Sequence, residues 1–300
     1  MPNLVAPMLN GMLAGWLAIA AGAVQAPDVT DPPAEAAAAT AAAPDTAAVA
    51  SMDEAQRLFY VGRYEEAAAM ALRLREASPK DLASYELRTS ALHFLIKRYL
   101  GTTKDPQDAV KRCVPCSGWL ADLKADTTQA QQIARAALKG HERDPQTLFY
   151  LGKIDLTHVW LHLGTLGQKT GWNEYWEARH SLDDVLKADP THVRARVARA
   201  WIDYIVDTRV PLGLRWVLGG GSKKRALASM REAAASPTAD FFSHAEANFA
   251  LWEMLVRENR YDEAVTVAEA LSRDFPENRE LVKFVDAHQQ RAKTAAEPGT

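Results

Sequence analysis

Three segments of the chain share one spacing of apolar and small residues. The first runs through Tyr64, Ala67, Ala71, Leu74 and Pro79, the second through Tyr175, Ala178, Leu182, Val185 and Pro190, and the third through Tyr261, Ala264, Ala268, Leu271 and Pro276. Intervals of three and four place these residues on one stripe of a helix. The small members let a neighbouring helix come close, and the proline ends the helix and begins the connection to the next. A looser copy passes through Ile133, Ala137, Gly140 and Pro145, and another, one residue short, through Ala226, Met230, Ala233 and Pro237. Two lead-ins, Val61-Gly62-Arg63-Tyr64 and Glu258-Asn259-Arg260-Tyr261, read as tight turns between helices with Gly or Asn as the left-handed cap. The pattern predicts an all-α body of antiparallel helix pairs over residues 53–290.

Upstream the pattern changes. Leu4 to Val24 carries no charge and is mostly apolar, and Ala21-Gly22-Ala23 supplies small residues for a cleavage site. Residues 1–23 are therefore expected to be a signal peptide, with an uncleaved membrane anchor over 4–24 as the alternative. Residues 24–52 are rich in Ala and Pro, and between Ala34 and Ala50 11 of 17 residues are alanine. Such a stretch has no large apolar stripe to dock, so it is expected to be a disordered linker. Residues 291–300 are expected to be a flexible C-terminal tail.

The repeated spacing resembles the tetratricopeptide repeat (TPR) family, matching the second helix of three good repeats and two degenerate ones. The successive prolines at 79, 145, 190, 237 and 276 lie 66, 45, 47 and 39 residues apart, where the family repeats about every 34. The first gap is expected to hold an extra hairpin, and the family's first-helix Trp-Leu-Gly signature is mostly missing. The resemblance thus implies an irregular TPR-like solenoid with a concave face lined by the first helix of each pair. The run from Pro211 to Lys224, Pro-Leu-Gly-Leu-Arg-Trp-Val-Leu-Gly-Gly-Gly-Ser-Lys-Lys, is similar to exported bacterial members of the family. If first helices line the concave face, Arg194, Trp201 and Tyr204 share it and become candidate ligand-binding residues of the groove. Arg and aromatic residues are enriched at interface hot spots, and a ligand with an acidic or aromatic group would suit them. The asparagines of the family's carboxylate clamp are not matched.

Charge sharpens this picture. The net charge of −3 and pI near 6.3 argue against a dedicated nucleic-acid binder. No Lys or Arg precedes Arg57, whereas Asp28, Asp31, Glu35, Asp45, Asp53 and Glu54 do. The remainder, with 35 basic against 32 acidic residues, is near neutral.

Three groups could carry chemistry. Cys113-Val-Pro-Cys116 is not a haem-attachment sequence, because Ser follows at 117. In an exported chain the pair is expected to form a local disulfide, with redox exchange, metal binding and free thiols as alternatives. Asp155, His158 and His162 share one helical face, and Glu174, Glu177 and His180 follow on the next predicted helix. Acid and His on adjacent antiparallel helices resemble ferritin-like carboxylate sites, but polar residues facing solvent explain the pattern equally simply. Gly219-Gly-Gly-Ser222-Lys223-Lys224 could hold an anion or simply form a turn before a capped helix. It does not fit a phosphate-binding Walker A loop, and G-x-S-x-G and H-E-x-x-H are absent.

The expectation is a non-catalytic binding or adaptor protein of the cell envelope, periplasmic or otherwise exported. It would use no cofactor and bind an envelope protein, a peptide or a small ligand, with membrane association only through the N-terminal segment. The alternative is a redox or metal-dependent helical protein using Cys113 and Cys116, or Asp155, His158, His162, Glu177 and His180.

Overall fold

The computed structural model describes residues 51–296 apart from Thr102, Lys104 and Lys169, with side chains to residue 290. The expected leader at 1–23, the linker up to residue 50 and the last four residues lie outside that range. The described residues form helices and no strand. In order these are α1 (Met52–Tyr60), α2 (Tyr64–Ala77), α3 (Leu82–Leu100), α4 (Pro106–Arg112), α5 (Cys116–Leu138) and α6 (Pro145–Val159), which continues as a π-helical turn (Trp160–Thr165). Then follow α7 (Trp172–Ala188), α8 (Val193–Arg209), the one-turn α9 (Leu212–Arg215), α10 (Lys223–Ala234), α11 (Phe241–Arg257), α12 (Tyr261–Asp274) and α13 (Arg279–Ala296). None is long and apolar enough to cross a membrane.

Local chemistry sets the boundaries. Asp81, Asp144, Asp240 and Ser222 each accept a hydrogen bond from a backbone amide in the first turn that follows, which satisfies donors the helix cannot. Gly62 (φ +84°) and Asn259 (φ +57°) are left-handed, as the two lead-ins require.

The helices pack as antiparallel pairs: α1 with α2, α3 with α5, α6 with α7, α8 with α10, and α11 with α12. This is an irregular, all-α, TPR-like solenoid, capped by α13 against α12. The long gap between Pro79 and Pro145 holds one pair rather than the extra hairpin expected there. Its helices are long, at 19 and 23 residues, and the short α4 is inserted in the connection between them.

The small stripe positions lie where helices touch. Ala67, Ala71, Ala178, Ala264 and Ala268 have no exposed surface. Ala264→Trp or Ala178→Trp is therefore expected to overpack its interface and cost about 1–3 kcal/mol, read as a lower thermal midpoint. Unchanged melting of both variants would contradict the register.

The ends of the solenoid meet. The Tyr60 ring on α1 stacks on Phe242 and Phe249 of α11, with centroids 6.2 and 5.3 Å away, and lies 5.5 Å from that of Phe275. Asn278 Nδ2 donates to Tyr60 O at 2.7 Å, and Arg98 pairs with Glu280 at 3.4 Å. The first helices of the pairs consequently face one another around a closed turn.

Candidate functional site

The expected groove is filled by the chain's own charges. Glu86 of α3, Lys153 of α6, Arg194 of α8 and Glu246 of α11 meet in alternating sign. Lys153 Nζ lies 2.5 Å from Glu246 and 3.4 Å from Glu86, while Arg194 reaches Glu246 at 2.5 Å and Glu86 at 3.0 Å. Their side chains are only 6–17% exposed. Burial pushes the Glu246 carboxyl up, but the charges of Arg194 and Lys153 outweigh it and hold the group at about 2. Burial likewise opposes the charge on Lys153, and Glu246 and Glu86 overcome it, so its ammonium titrates above its usual value. The Arg194 guanidinium also stands 5.0 Å over the Phe149 ring.

The three candidate groove residues are thus placed differently from one another. Arg194 is committed to this quartet. Tyr204 is buried and its hydroxyl donates to Glu258 at 2.9 Å. Trp201 is half-buried, edge-on to Tyr204 and 5.5 Å beneath the Arg257 guanidinium.

The Asp155 cluster is brought together only in part. Asp155 accepts from Gln131 of α5 at 2.7 Å, and its other oxygen is buried without a hydrogen-bond partner. Glu177 of α7 is paired with Arg135 through an Nε–Oε1 bond of 3.0 Å. The rings of His158 and His162 lie 4.3 Å apart, and His162 Nδ1 donates to Gln168 at 2.5 Å. His180 is exposed and stacks on Trp176. Among the described residues no three His, Cys, Asp or Glu side chains converge enough to share a metal ion.

Burial, with the Glu177 charge added, raises the Asp155 carboxyl to about 8 from 3.8. A folded-state value above the unfolded one means that the folded chain holds a proton the unfolded chain has released. The stability this gives is complete below pH ~4 and is lost as pH rises toward ~8. Asp155→Asn is expected to remove that slope, so the variant should lose less stability than the parent between pH 5 and pH 8 in urea melts. Equal losses would show that Asp155 is ionised in the fold.

A second surface combines positive charge with apolar exposure. The glycine-rich run between α9 and α10 is strapped across α7 and α8. Tyr175 OH donates to Leu218 O at 2.8 Å and Arg179 Nη2 to Gly219 O at 2.7 Å. Only glycine fits at 221, because a Cβ there would stand 2.5 Å from Asp203 O. The amides of Gly219, Gly220 and Lys223 are bonded to Trp216 O, Arg215 O and Asp207, so the run does not offer them as an anion cradle.

Beside the strap lies a cleft of about 330 Å³ lined by Arg179, Arg196, Arg199, Asp203, Gly219 and Arg225. Three of its arginines are engaged within the chain: Arg179 donates to Gly219 O at 2.7 Å, Arg196 pairs with Glu232 at 3.3 Å, and Arg199 pairs with Asp183 and Asp203, each at 2.7 Å. The exposed Arg225 side chain has no partner among the described residues. Lys223, Lys224 and Arg225 occupy the first turn of α10, where the helix end is already positive and acidic residues would be favoured. In α9 and the turn that follows it, just before the glycine run, Leu212 (79% exposed) and Trp216 (77%) lie one turn apart. In the sequence, a Trp beside three glycines and a cationic helix start is the one signal that Trp216 is exposed.

Cys113 and Cys116 stand side by side between α4 and α5, with Cα atoms 5.3 Å apart, a separation compatible with a disulfide.

No family model and no curated protein matches the chain. Among solved structures it is similar to a protein described as a thermophilic TPR protein in Thermus thermophilus, with 16% identity, covering 80% of this chain and 100% of that one, at a TM-score of 0.44.

Proposed function

We propose that this chain is an exported binding protein of the cell envelope whose outer arginine cleft receives an acidic segment of a partner protein. The observation that carries the reading is the cleft between α7, α8 and α10, lined by Arg179, Arg196, Arg199 and the unpaired, exposed Arg225. Guanidinium groups bind carboxylates through paired, charge-assisted hydrogen bonds. Leu212 and Trp216 add the apolar contact area that anchors an interface, with Trp and Arg the residue types that dominate hot spots. Export rests on the uncharged segment Leu4–Val24 and its small-residue cleavage site.

The expected groove residues give a second reading, in which a ligand sits against Trp201. The half-exposed ring beside Arg257 favours it, while the quartet opposes deep entry.

Short peptides of acidic, neutral and basic composition, each with one apolar anchor, discriminate the two in titrations with the full chain. The acidic peptide should bind best and weaken with salt. Arg225→Glu and Trp216→Ala, both at exposed positions, should each cost about 30-fold in affinity. Trp201→Ala should leave binding nearly unchanged. Loss in Trp201→Ala alone would return the site to the groove.

A further inference from the structure

The connection that separates α3 from α5 carries the chain's two cysteines, and its geometry is that of a reactive pair. Cys116 is the first residue of α5 and is fully buried, whereas Cys113, ahead of the turn, is partly exposed. The residue before the helix is Pro115, and no side chain caps this end, in contrast to α1, α3 and α6, where Ser51, Asp81 and Asp144 do so. Backbone carbonyls close this end instead, with Cys116 N donating to Cys113 O and Trp119 N to Pro115 O. A helix start favours a thiolate, while the burial of Cys116 in an apolar cluster opposes it.

The surroundings are open and apolar. Val114 is 89% exposed, and a Cβ added at Gly118 would meet nothing within 4 Å. Tyr99, 59% exposed, stands edge-on to Trp119 at 5.0 Å, and Trp119 packs in the same cluster as both cysteines. Lys111 and Arg112 are exposed, and Arg112 is paired with Asp108. A loop this short constrains the unfolded chain only modestly, so the bond's contribution to stability is small.

We propose that Cys113 and Cys116 form an exchangeable disulfide that oxidises dithiols in extended, apolar polypeptide segments. A substrate thiolate attacks Cys113 Sγ, the accessible sulfur. The bond between Cys113 and Cys116 breaks, and its electron pair leaves on Cys116 Sγ at the start of α5. The substrate's second thiolate then attacks the substrate sulfur of the mixed disulfide, and Cys113 leaves in turn. The substrate dithiol has become a disulfide, its two electrons reside on Cys113 and Cys116, and its protons have passed to solvent or to the released sulfurs. A low-molecular-weight disulfide such as oxidised glutathione accepts them and restores the starting state. Val114, Tyr99 and Trp119 provide the surface on which the segment lies. This activity is independent of the arginine cleft, and each could fail without the other.

The test uses the oxidised full chain and a synthetic peptide with two thiols flanked by valine and tyrosine. The peptide should be oxidised stoichiometrically while Cys113 and Cys116 become alkylatable, and turnover should begin when oxidised glutathione is added. Val114→Asp should slow reaction with the peptide about tenfold and leave reaction with reduced glutathione unchanged, as expected for loss of an apolar contact. Given the disulfide form of the peptide, Cys116→Ser should trap a mixed disulfide through Cys113 with release of the peptide's other thiol, and Cys113→Ser, which leaves only the buried thiol, should not. If either serine variant fails to fold, the wild-type stoichiometry and Val114→Asp decide the matter, since both leave the helix start intact. Three results would overturn the proposal: a pair that stays oxidised in excess peptide, peptide oxidation no faster than by oxidised glutathione alone, or a Val114→Asp effect equal on peptide and glutathione.

Discussion

Glu246→Ala is expected to destabilise the fold by about 3–5 kcal/mol, because it leaves Lys153 and Arg194 buried without one of their two counter-charges. Each cation holds Glu246 at 2.5 Å, and each side chain is only 17% exposed. Replacing all four members of the quartet by apolar residues of similar volume should restore most of the loss, since burying a charge pair costs desolvation that an apolar cluster avoids. The same group sets an acid limit. Its folded-state value of about 2 lies below the ordinary 4.5, so its contribution is complete above pH ~4.5 and is lost as pH falls toward ~2. Glu246→Gln should therefore show a shallower decline in stability between pH 5 and pH 3. Urea melts at pH 7 and across the acid range measure both effects. A loss below about 1 kcal/mol for Glu246→Ala would mean that the quartet is solvated and the groove open.

Phe275→Ala should cost a similar amount, about 3–5 kcal/mol, as a fully buried aromatic ring is removed from a site that cannot collapse. Its effect should also reach the other end of the chain. The ring lies 5.5 Å from Tyr60 and 5.7 Å from Phe249, so its loss opens the contact between α1 and α11. Hydrogen exchange in α1 and α2 should accelerate in this variant more than exchange in α6 and α7, which pack elsewhere. Val282→Ala, at a half-exposed position of α13, is the control and should stay within about 0.5 kcal/mol. Uniform acceleration throughout the chain would show that the ends unfold with the rest and that closure adds nothing local.

The helix pairs are legible in the sequence because their determinants are local. The stripes of Ala, Leu and Tyr, the prolines that follow them, and the turns at Gly62 and Asn259 each act within one or two helical turns. The gap from Pro79 to Pro145 is not legible, since periodicity alone does not distinguish longer helices from an added hairpin. The quartet escapes for a related reason. Glu86, Lys153, Arg194 and Glu246 sit on four helices far apart in sequence, and each alone looks like an ordinary surface charge. Arg194 stands out in the sequence for its neighbours Trp201 and Tyr204, and its side chain instead closes the face it is expected to offer. In the same way, only the glycines and cationic helix start that follow it separate Trp216, which is exposed, from Trp172 and Trp176, which pack. The arginine cleft is formed by α7, α8 and α10 together, so no single segment displays it.

The most direct test of where this chain binds is site-specific photo-crosslinking in the full-length protein, with the reactive side chain placed at 216, 225 or 201 in turn. Position 225 lines the outer cleft, 216 lies just before the glycine run, and 201 lies beside Arg257 and Tyr204. One partner crosslinked from 216 and 225, and not from 201, with yields that fall as salt is raised, is the predicted result. The same partner crosslinked from 201 and not from the cleft positions would contradict it and place recognition in the groove.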